Sequence, residues 1–391
     1  MDGISMIENQ YTKWVACWGN ATSITDQREA AFSKDLTLRY PVKMCFSGKA
    51  LRFHFSNLTG TEPITITSAC VARAVSDREI QEDTVKNISF AGNRQVTIQP
   101  GQEISSDEVN FFVKAGETIT VSMYFADYTQ MNAGVLITGP LSKGFFSYGN
   151  HAEAGKLPLN LTRTTNWFYF LNTIEILTEE KNHALICYGD SITAQSWPDY
   201  LAIRAWEEDL HNVAIIRRAV SGTRILRQYD CITYAAYGIR GEVRFPLETE
   251  VAGADAVLIQ HGINDIIHPV GVEVNPFRPW SDLPTAEELI DGMRMYIDMA
   301  RKKKLKVYGG TLLPIYGWRT YAPFREELRC AFNEWLRTTK ELDGCVDFDR
   351  AVCDPAHPAA FGPGYDSGDH LHPSETAYKR MAEEVPEKLL R

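Results

Sequence analysis

Long apolar runs are missing from this sequence: nowhere do its 391 residues hold the roughly 20 consecutive apolar positions that span a bilayer. The opening segment, Met1 to Trp14, has neither a basic start nor an apolar core, so it is not read as a secretory leader. No Cys-x-x-Cys pair occurs. The 8 cysteines are scattered at 17, 45, 70, 187, 231, 330, 345 and 353, a pattern that predicts free buried thiols rather than a disulfide framework. In that setting the Asn-x-Ser/Thr matches at Asn20, Asn57, Asn87 and Asn160 carry no glycosylation signal, and the chain is read as cytoplasmic. Basic charge is in deficit, with 40 Lys and Arg against 50 Asp and Glu, a formal net charge of −10. That balance excludes nucleic acid as the main partner, since phosphate neutralisation needs a basic face. A His-Glu-x-x-His zinc motif is lacking as well. A metal-dependent phosphoesterase would have to draw ligands from His261, His268, His370 and His372, or from Gly149-Asn150-His151-Ala152-Glu153, and no Asp-x-His precedes that segment. No metal and no other cofactor is expected.

What is present is the balance of a globular protein, 44% apolar and 23% charged residues. The chain is long enough for two domains. Over residues 1–170 apolar and polar side chains alternate, as in Leu51-Arg52-Phe53-His54-Phe55-Ser56, the period of half-buried strands. Similar runs at 36–42, 63–69, 95–99, 118–125 and 135–138 are separated by turn formers such as Pro100-Gly101 and Ala115-Gly116. Many short strands without a convincing helix predict an all-β sandwich domain of jelly-roll type. Residues 140–182, with the aromatic run Trp167-Phe168-Tyr169-Phe170, read as a join packed between domains.

From 183 to 391 the pattern becomes strand, helix, strand. Continuous apolar runs at 184–188, 213–216, 256–259, 306–309 and 346–348 suit a parallel sheet covered on both faces. Thr285 and Glu288 form a capping box, and Leu289, Met293, Ile297 and Ala300 recur after it at helical spacing. Residues 322–340 and 374–390 predict two more helices. The expected fold of this half is a three-layer α/β/α domain.

Four segments of the second half carry chemistry. Gly189-Asp190-Ser191-Ile192-Thr193 follows the first parallel strand, and open α/β sheets bind ligands beyond the carboxyl ends of their strands. A helix should begin near Ser196, with Pro198 in its first turn. The plainer alternative for this segment is a common turn. Ser221-Gly222-Thr223 follows the second strand, where a glycine lets a backbone N–H approach a ligand, or simply makes a turn. Gly262-Ile263-Asn264-Asp265 follows the third. The Asn264 amide can hold a developing oxyanion, though an Asx turn accounts for the same residues. In Asp369-His370-Leu371-His372, an Asp three residues ahead of a His can accept from Nδ1–H and leave Nε2 to take a proton. His370 is one residue off that geometry and reads as structural or solvent-facing.

Taken in order, these Ser, Gly, Asn and Asp-x-x-His segments are the blocks of the SGNH hydrolase superfamily, which the chain resembles over residues 183–391. Gly309-Gly310-Thr311-Leu312-Leu313-Pro314, Arg329 with Asn333, and Val346-Asp347-Phe348-Asp349 look like the GDSL-type lipase/acylhydrolase group that carries an N-terminal β domain. In that group the first domain often opens on a segment similar to Trp14-Val15-Ala16-Cys17-Trp18. One departure is local: Arg218-Ala219-Val220-Ser221-Gly222 lacks the Asn that often precedes the glycine. The resemblance implies a flavodoxin-like SGNH catalytic domain with Ser191 as nucleophile and Asp369 with His372 as its proton-handling pair. It also implies an oxyanion hole made by the Ser191 N–H, the Gly222 N–H and the Asn264 side chain. The activity implied is that of a serine esterase working through an acyl-enzyme without a cofactor.

Short acyl groups, acetyl above all, on small-molecule or oligosaccharide alcohols fit a β sandwich joined to an SGNH domain. Trp197, Tyr229, Trp318, Arg319 and Tyr321 are candidate rim residues, because aromatics and Arg can stack on or hydrogen-bond a sugar. Trp197 reads equally well as helix core. An acylhydrolase of long-chain lipid esters is the alternative, and it would want an apolar lid for which no extended apolar loop is found. A glycan-binding protein with an inert α/β domain is the non-enzymatic alternative, and it would leave a full set of catalytic residue types unused.

Overall fold

The computed structural model describes residues 10–24, 31–228, 237–271 and 279–391. Its contacts divide it into two compact units. One reaches to Ala184 and includes Asp209–Ile216; the other comprises Leu185–Glu208 and Arg217–Arg391.

The alternating sequence of the first unit folds as antiparallel strands. In one sheet Leu171–Thr178 lies between Lys13–Gly19 and Gly48–Ser56, and Glu103–Ser105 and Val109–Val113 both pair with Gly48–Ser56. A second sheet runs Thr162–Thr165, Gly144–Tyr148, Leu36–Lys43, Thr118–Phe125, Ser68–Arg73, Lys86–Ile88. The strand Leu171–Thr178 lies beyond residue 170, the limit expected from alternation, and it is an internal strand of its sheet rather than a join. The aromatic run before it packs within this unit: Phe168 stacks on Tyr40 at 4.7 Å and Phe170 meets Phe125 at 5.2 Å.

Alternation also breaks where a further layer covers the polar face. On Leu36–Lys43, Thr37 and Arg39 are as buried as Leu38 and Tyr40. Arg39 donates to the carbonyls of Arg78 at 2.8 Å, His151 at 3.0 Å and Ala154 at 2.8 Å, and to the Ser122 hydroxyl at 3.0 Å. A guanidinium taken out of water needs such acceptors. Residues 149–153 therefore help to cradle Arg39.

Residues 183–391 are organised by a five-stranded parallel sheet: β1 (His183–Gly189), β2 (Val213–Ala219), β3 (Ala254–Gln260), β4 (Lys306–Gly310) and β5 (Gly344–Val346). Their order is 2-1-3-4-5, the flavodoxin-like winding, with its topological switch between β1 and β3. Every residue of β1 is buried, which explains its unbroken apolar character. The longer helices are α1 (Trp197–Glu207), α2 (Gly241–Glu248), α3 (Ala286–Lys302), α4 (Pro323–Thr338) and α5 (Glu375–Glu384). They fall into two packed groups, α1 with α5, and α3 with both α2 and α4. Helix α3 begins at the capping box: Thr285 Oγ1 accepts from the Glu288 N–H at 3.2 Å, and Glu288 Oε2 accepts from the Thr285 N–H at 2.9 Å. Its buried stripe of Leu289, Met293, Tyr296, Ile297 and Ala300 has the helical period.

Among the described residues no helix is long and apolar enough to cross a membrane. Cys17, Cys70 and Cys187 are buried free thiols, whereas Cys330 is free and exposed.

Candidate active site

β1 ends at Gly189, where a Cβ would lie 2.4 Å from Thr193 Oγ1 and 2.6 Å from the Gln260 carbonyl, so only glycine fits. The chain then makes one helical turn, Ser191–Ala194, capped by Asp190, whose Oδ1 accepts from the Ile192 N–H at 3.0 Å. Ser191 Oγ lies 2.9 Å from Nε2 of His372. The other ring nitrogen, Nδ1, lies 2.6 Å from Asp369 Oδ2. Asp369 Oδ1 accepts the N–H groups of Leu371 at 2.9 Å and His372 at 2.8 Å, so one carboxylate fixes both the loop and the ring. Burial pushes the Asp369 carboxyl up, but the His372 ring and these backbone donors outweigh it and hold the group below the usual carboxylate range. An imidazole whose Nδ1–H is held by a carboxylate presents a basic Nε2 to the hydroxyl.

The glycine and asparagine segments are fastened beside this line. The Val220 N–H donates to the Gly189 carbonyl at 3.2 Å. Gly222 has φ +79°, and a Cβ there would meet the Tyr237 ring at 2.6 Å. Asn264 is buried in the short helix Ile263–Ile267, and its Nδ2 donates to the Thr223 carbonyl at 3.0 Å. Side chains thus bring Ser191, Asp369 and His372 together, while Thr223 joins Asn264 to the Gly222 turn.

Residues 187–380, which contain Ser191, Gly222, Asn264, Asp369 and His372, match the family model of the GDSL-like lipase/acylhydrolase family. The α/β half belongs to that family. No curated protein matches the chain. Solved structures similar to part of this chain include a GDSL-like lipase from Bacteroides thetaiotaomicron, 17% identical with a TM-score of 0.36, which covers 54% of this chain and 89% of that one. Another is a carbohydrate esterase family 3 protein from Talaromyces cellulolyticus, 18% identical with a TM-score of 0.37, over 53% of this chain and 96% of that one.

Three buried residues without a catalytic role in the reading above hold the framework of the GDSL-like domain. Arg244 of α2 donates to the carbonyls of Gly189 and Arg218, each at 2.9 Å, to Thr223 Oγ1 at 3.0 Å and to Glu248 at 2.8 Å. Asp265 accepts the N–H groups of Ile225 at 2.8 Å and Leu226 at 3.0 Å. His261 lies between the Tyr296 hydroxyl at 2.9 Å and Thr223 Oγ1 at 3.0 Å, and burial drives its pKa well below the ordinary value, leaving it neutral. No spacing in the sequence marks Arg244 or His261; Asp265 has one signal, its place beside Asn264 at a strand end. Arg329 and Asn333, by contrast, hold the chain after β4: both donate to the Leu312 carbonyl, at 2.9 and 2.8 Å.

The expected rim divides. Trp197 is fully buried at the start of α1 with its ring 5.2 Å from Phe348, so it is core and cannot border a substrate. Tyr229 lies outside the described residues. Trp318, Arg319 and Tyr321 share the loop between β4 and α4, where the Arg319 guanidinium sits 4.4 Å over the Trp318 ring and Tyr321 meets Tyr316 edge-on at 5.1 Å. Gly317 of this loop has φ +92°, and a Cβ there would lie 2.8 Å from His370 Cγ. The loop therefore rests on the segment that carries His372. Among the described residues no three His, Cys, Asp or Glu side chains are grouped so as to hold a metal ion.

Proposed function

We propose that the protein is a serine esterase that removes short acyl groups, acetyl above all, from small carbohydrate or oligosaccharide esters in the cytoplasm. In this reading residues 183–391 are the catalytic domain, and residues 1–170 are a jelly-roll-like accessory sandwich. The observation that carries it is the line from Asp369 through His372 to Ser191, with contacts of 2.6 and 2.9 Å.

Ser191 Oγ attacks the ester carbonyl carbon while His372 Nε2 takes its proton, and ionised Asp369 orients the ring and stabilises the imidazolium. The carbonyl oxygen, now an oxyanion, is received by the Ser191 and Gly222 N–H groups and the Asn264 amide. As the ester C–O bond breaks, His372 returns the proton to the leaving alcohol oxygen. Water then adds to the acyl-enzyme with His372 as base, and the carboxylic acid departs with Ser191 restored. Trp318, Arg319 and Tyr321 support a sugar alcohol, because rings stack on its C–H faces and Arg donates to its hydroxyls.

Ser191→Ala is expected to abolish hydrolysis of p-nitrophenyl acetate while circular dichroism and thermal unfolding stay as in the wild type; full activity in that variant overturns the assignment. Across a p-nitrophenyl ester series, kcat/KM for acetate is expected to exceed that for octanoate by about tenfold or more. The reverse order would assign the site to lipid acyl chains.

A further inference from the structure

Two Asp–His pairs follow one another in the loop before α5. Asp366 treats His370 as Asp369 treats His372: its Oδ1 accepts the N–H groups of Gly368 at 2.8 Å and His370 at 3.0 Å, and its Oδ2 lies 2.5 Å from His370 Nδ1. Each carboxylate occupies Nδ1 and leaves Nε2 for another partner. For His372 that partner is Ser191. Nε2 of His370 has no hydrogen-bond partner among the described residues, and the side chain is 49% exposed.

The backbone of His370 is in a costly place. Its φ of +66° lies in the left-handed region, which costs a residue with a Cβ about 1 kcal/mol or more. Glycine would hold the same turn at less expense. A ring is therefore kept where loop geometry alone does not ask for one. That ring lies against Gly317, which leads into Trp318, Arg319 and Tyr321. Tyr316, on the other side of Gly317, is 47% exposed.

We propose that His370 and the 316–321 loop form the subsite for the alcohol half of the ester, with His370 Nε2 hydrogen-bonding a hydroxyl of a polyhydroxylated alcohol stacked on the loop's rings. This deepens the esterase reading above and rests on it. The chemistry follows from the groups present. An imidazole held through Nδ1–H accepts from a hydroxyl at Nε2, and Trp, Tyr and Arg surfaces suit the C–H faces and hydroxyls of a sugar. An alkyl alcohol would offer Nε2 nothing to bond, which makes His370 a specificity-determining residue rather than a member of the reacting set.

The test uses two substrates with the same acetyl group, acetylated xylobiose and p-nitrophenyl acetate, on the wild type, His370→Asn and His370→Gly. Asn tolerates the left-handed backbone and can still donate to Asp366, while Gly relieves the φ cost, so the loop is kept by two different routes. Both variants are expected to lower kcat/KM on acetylated xylobiose about tenfold more than on p-nitrophenyl acetate, the size of one hydrogen bond. Equal losses on the two substrates, or none on either, overturn the subsite. A second readout does not depend on turnover: acetylated xylobiose titrated into Ser191→Ala should bind about tenfold more tightly than into Ser191→Ala/His370→Asn, and equal affinities overturn the subsite. If the wild type releases acetate from neither substrate, the esterase reading fails, and the binding comparison still decides the subsite.

Discussion

The guanidinium of Arg244 donates across 2.9 Å to the carbonyl of Gly189, the last residue of the strand that delivers Ser191. The same side chain bonds Arg218 at the end of β2 and Thr223 beyond Gly222, so a single buried cation ties together the two strand ends flanking the site. Arg244→Met should remove the guanidinium's bonds to the buried Glu248 carboxylate and to the Gly189 and Arg218 carbonyls, at a cost of about 3–5 kcal/mol. Urea unfolding measures this directly. Arg244→Lys should recover little, because one ammonium cannot reproduce the fork. A loss below about 1 kcal/mol for Arg244→Met would deny Arg244 the role of staple.

Asn264 separates two roles that a single amide carries. One N–H is committed to the Thr223 carbonyl, which positions the side chain. On the proposed mechanism the other meets the oxyanion only as charge develops. Asn264→Ala is therefore expected to lower kcat on p-nitrophenyl acetate about 10²–10³-fold while KM changes far less. The lost Thr223 contact should appear separately, as about 1 kcal/mol in urea unfolding. A variant that loses stability but keeps kcat within about threefold would remove the amide from the oxyanion site and leave it an Asx anchor.

What could be read from the sequence was what is local. Asp369 and His372 lie in one turn, and so do the two halves of the capping box at Thr285 and Glu288; their spacing alone puts the groups within reach. The parallel strands were legible as unbroken apolar runs, and their ends mark where Ser191, Gly222 and Asn264 emerge. Contacts made across the fold were not legible. Arg39 occupies the polar phase of an alternating strand and reads as solvent-facing, until carbonyls from residues 151–154 close over it. Trp197 follows the nucleophile segment closely enough to suggest a rim, but its ring is buried against Phe348 from far along the chain. Arg244 has no local signal at all, since every strand end it bonds is distant in sequence.

Asp190 gives a pH test that its neighbour Ser191 does not complicate. It is fully buried; Oδ1 serves the Ile192 N–H, and Oδ2 has no hydrogen-bond partner among the described residues. Burial pushes its carboxyl up to about 6, although the Ile192 N–H, His372 and Arg244 pull the other way; nearby Asp265 adds to the rise. In the unfolded chain the same group titrates near 3.9, at the ordinary Asp value of about that size. The folded protein therefore binds this proton more tightly, and the stability it contributes is complete below about pH 4 and is lost as pH rises through about 6. Asp190→Asn keeps an acceptor for the cap and has no charge to bury. The wild-type unfolding free energy minus that of Asp190→Asn should fall by about 1.4 kcal/mol between pH 5 and pH 8, measured by urea unfolding. Asp265, pushed up to about 6 by its own burial, is present in both proteins, so only the part of its titration that depends on the Asp190 charge stays in the difference. A difference that stays constant over that range would mean that Asp190 titrates as an ordinary carboxyl, and that water or a rearranged turn reaches it in solution.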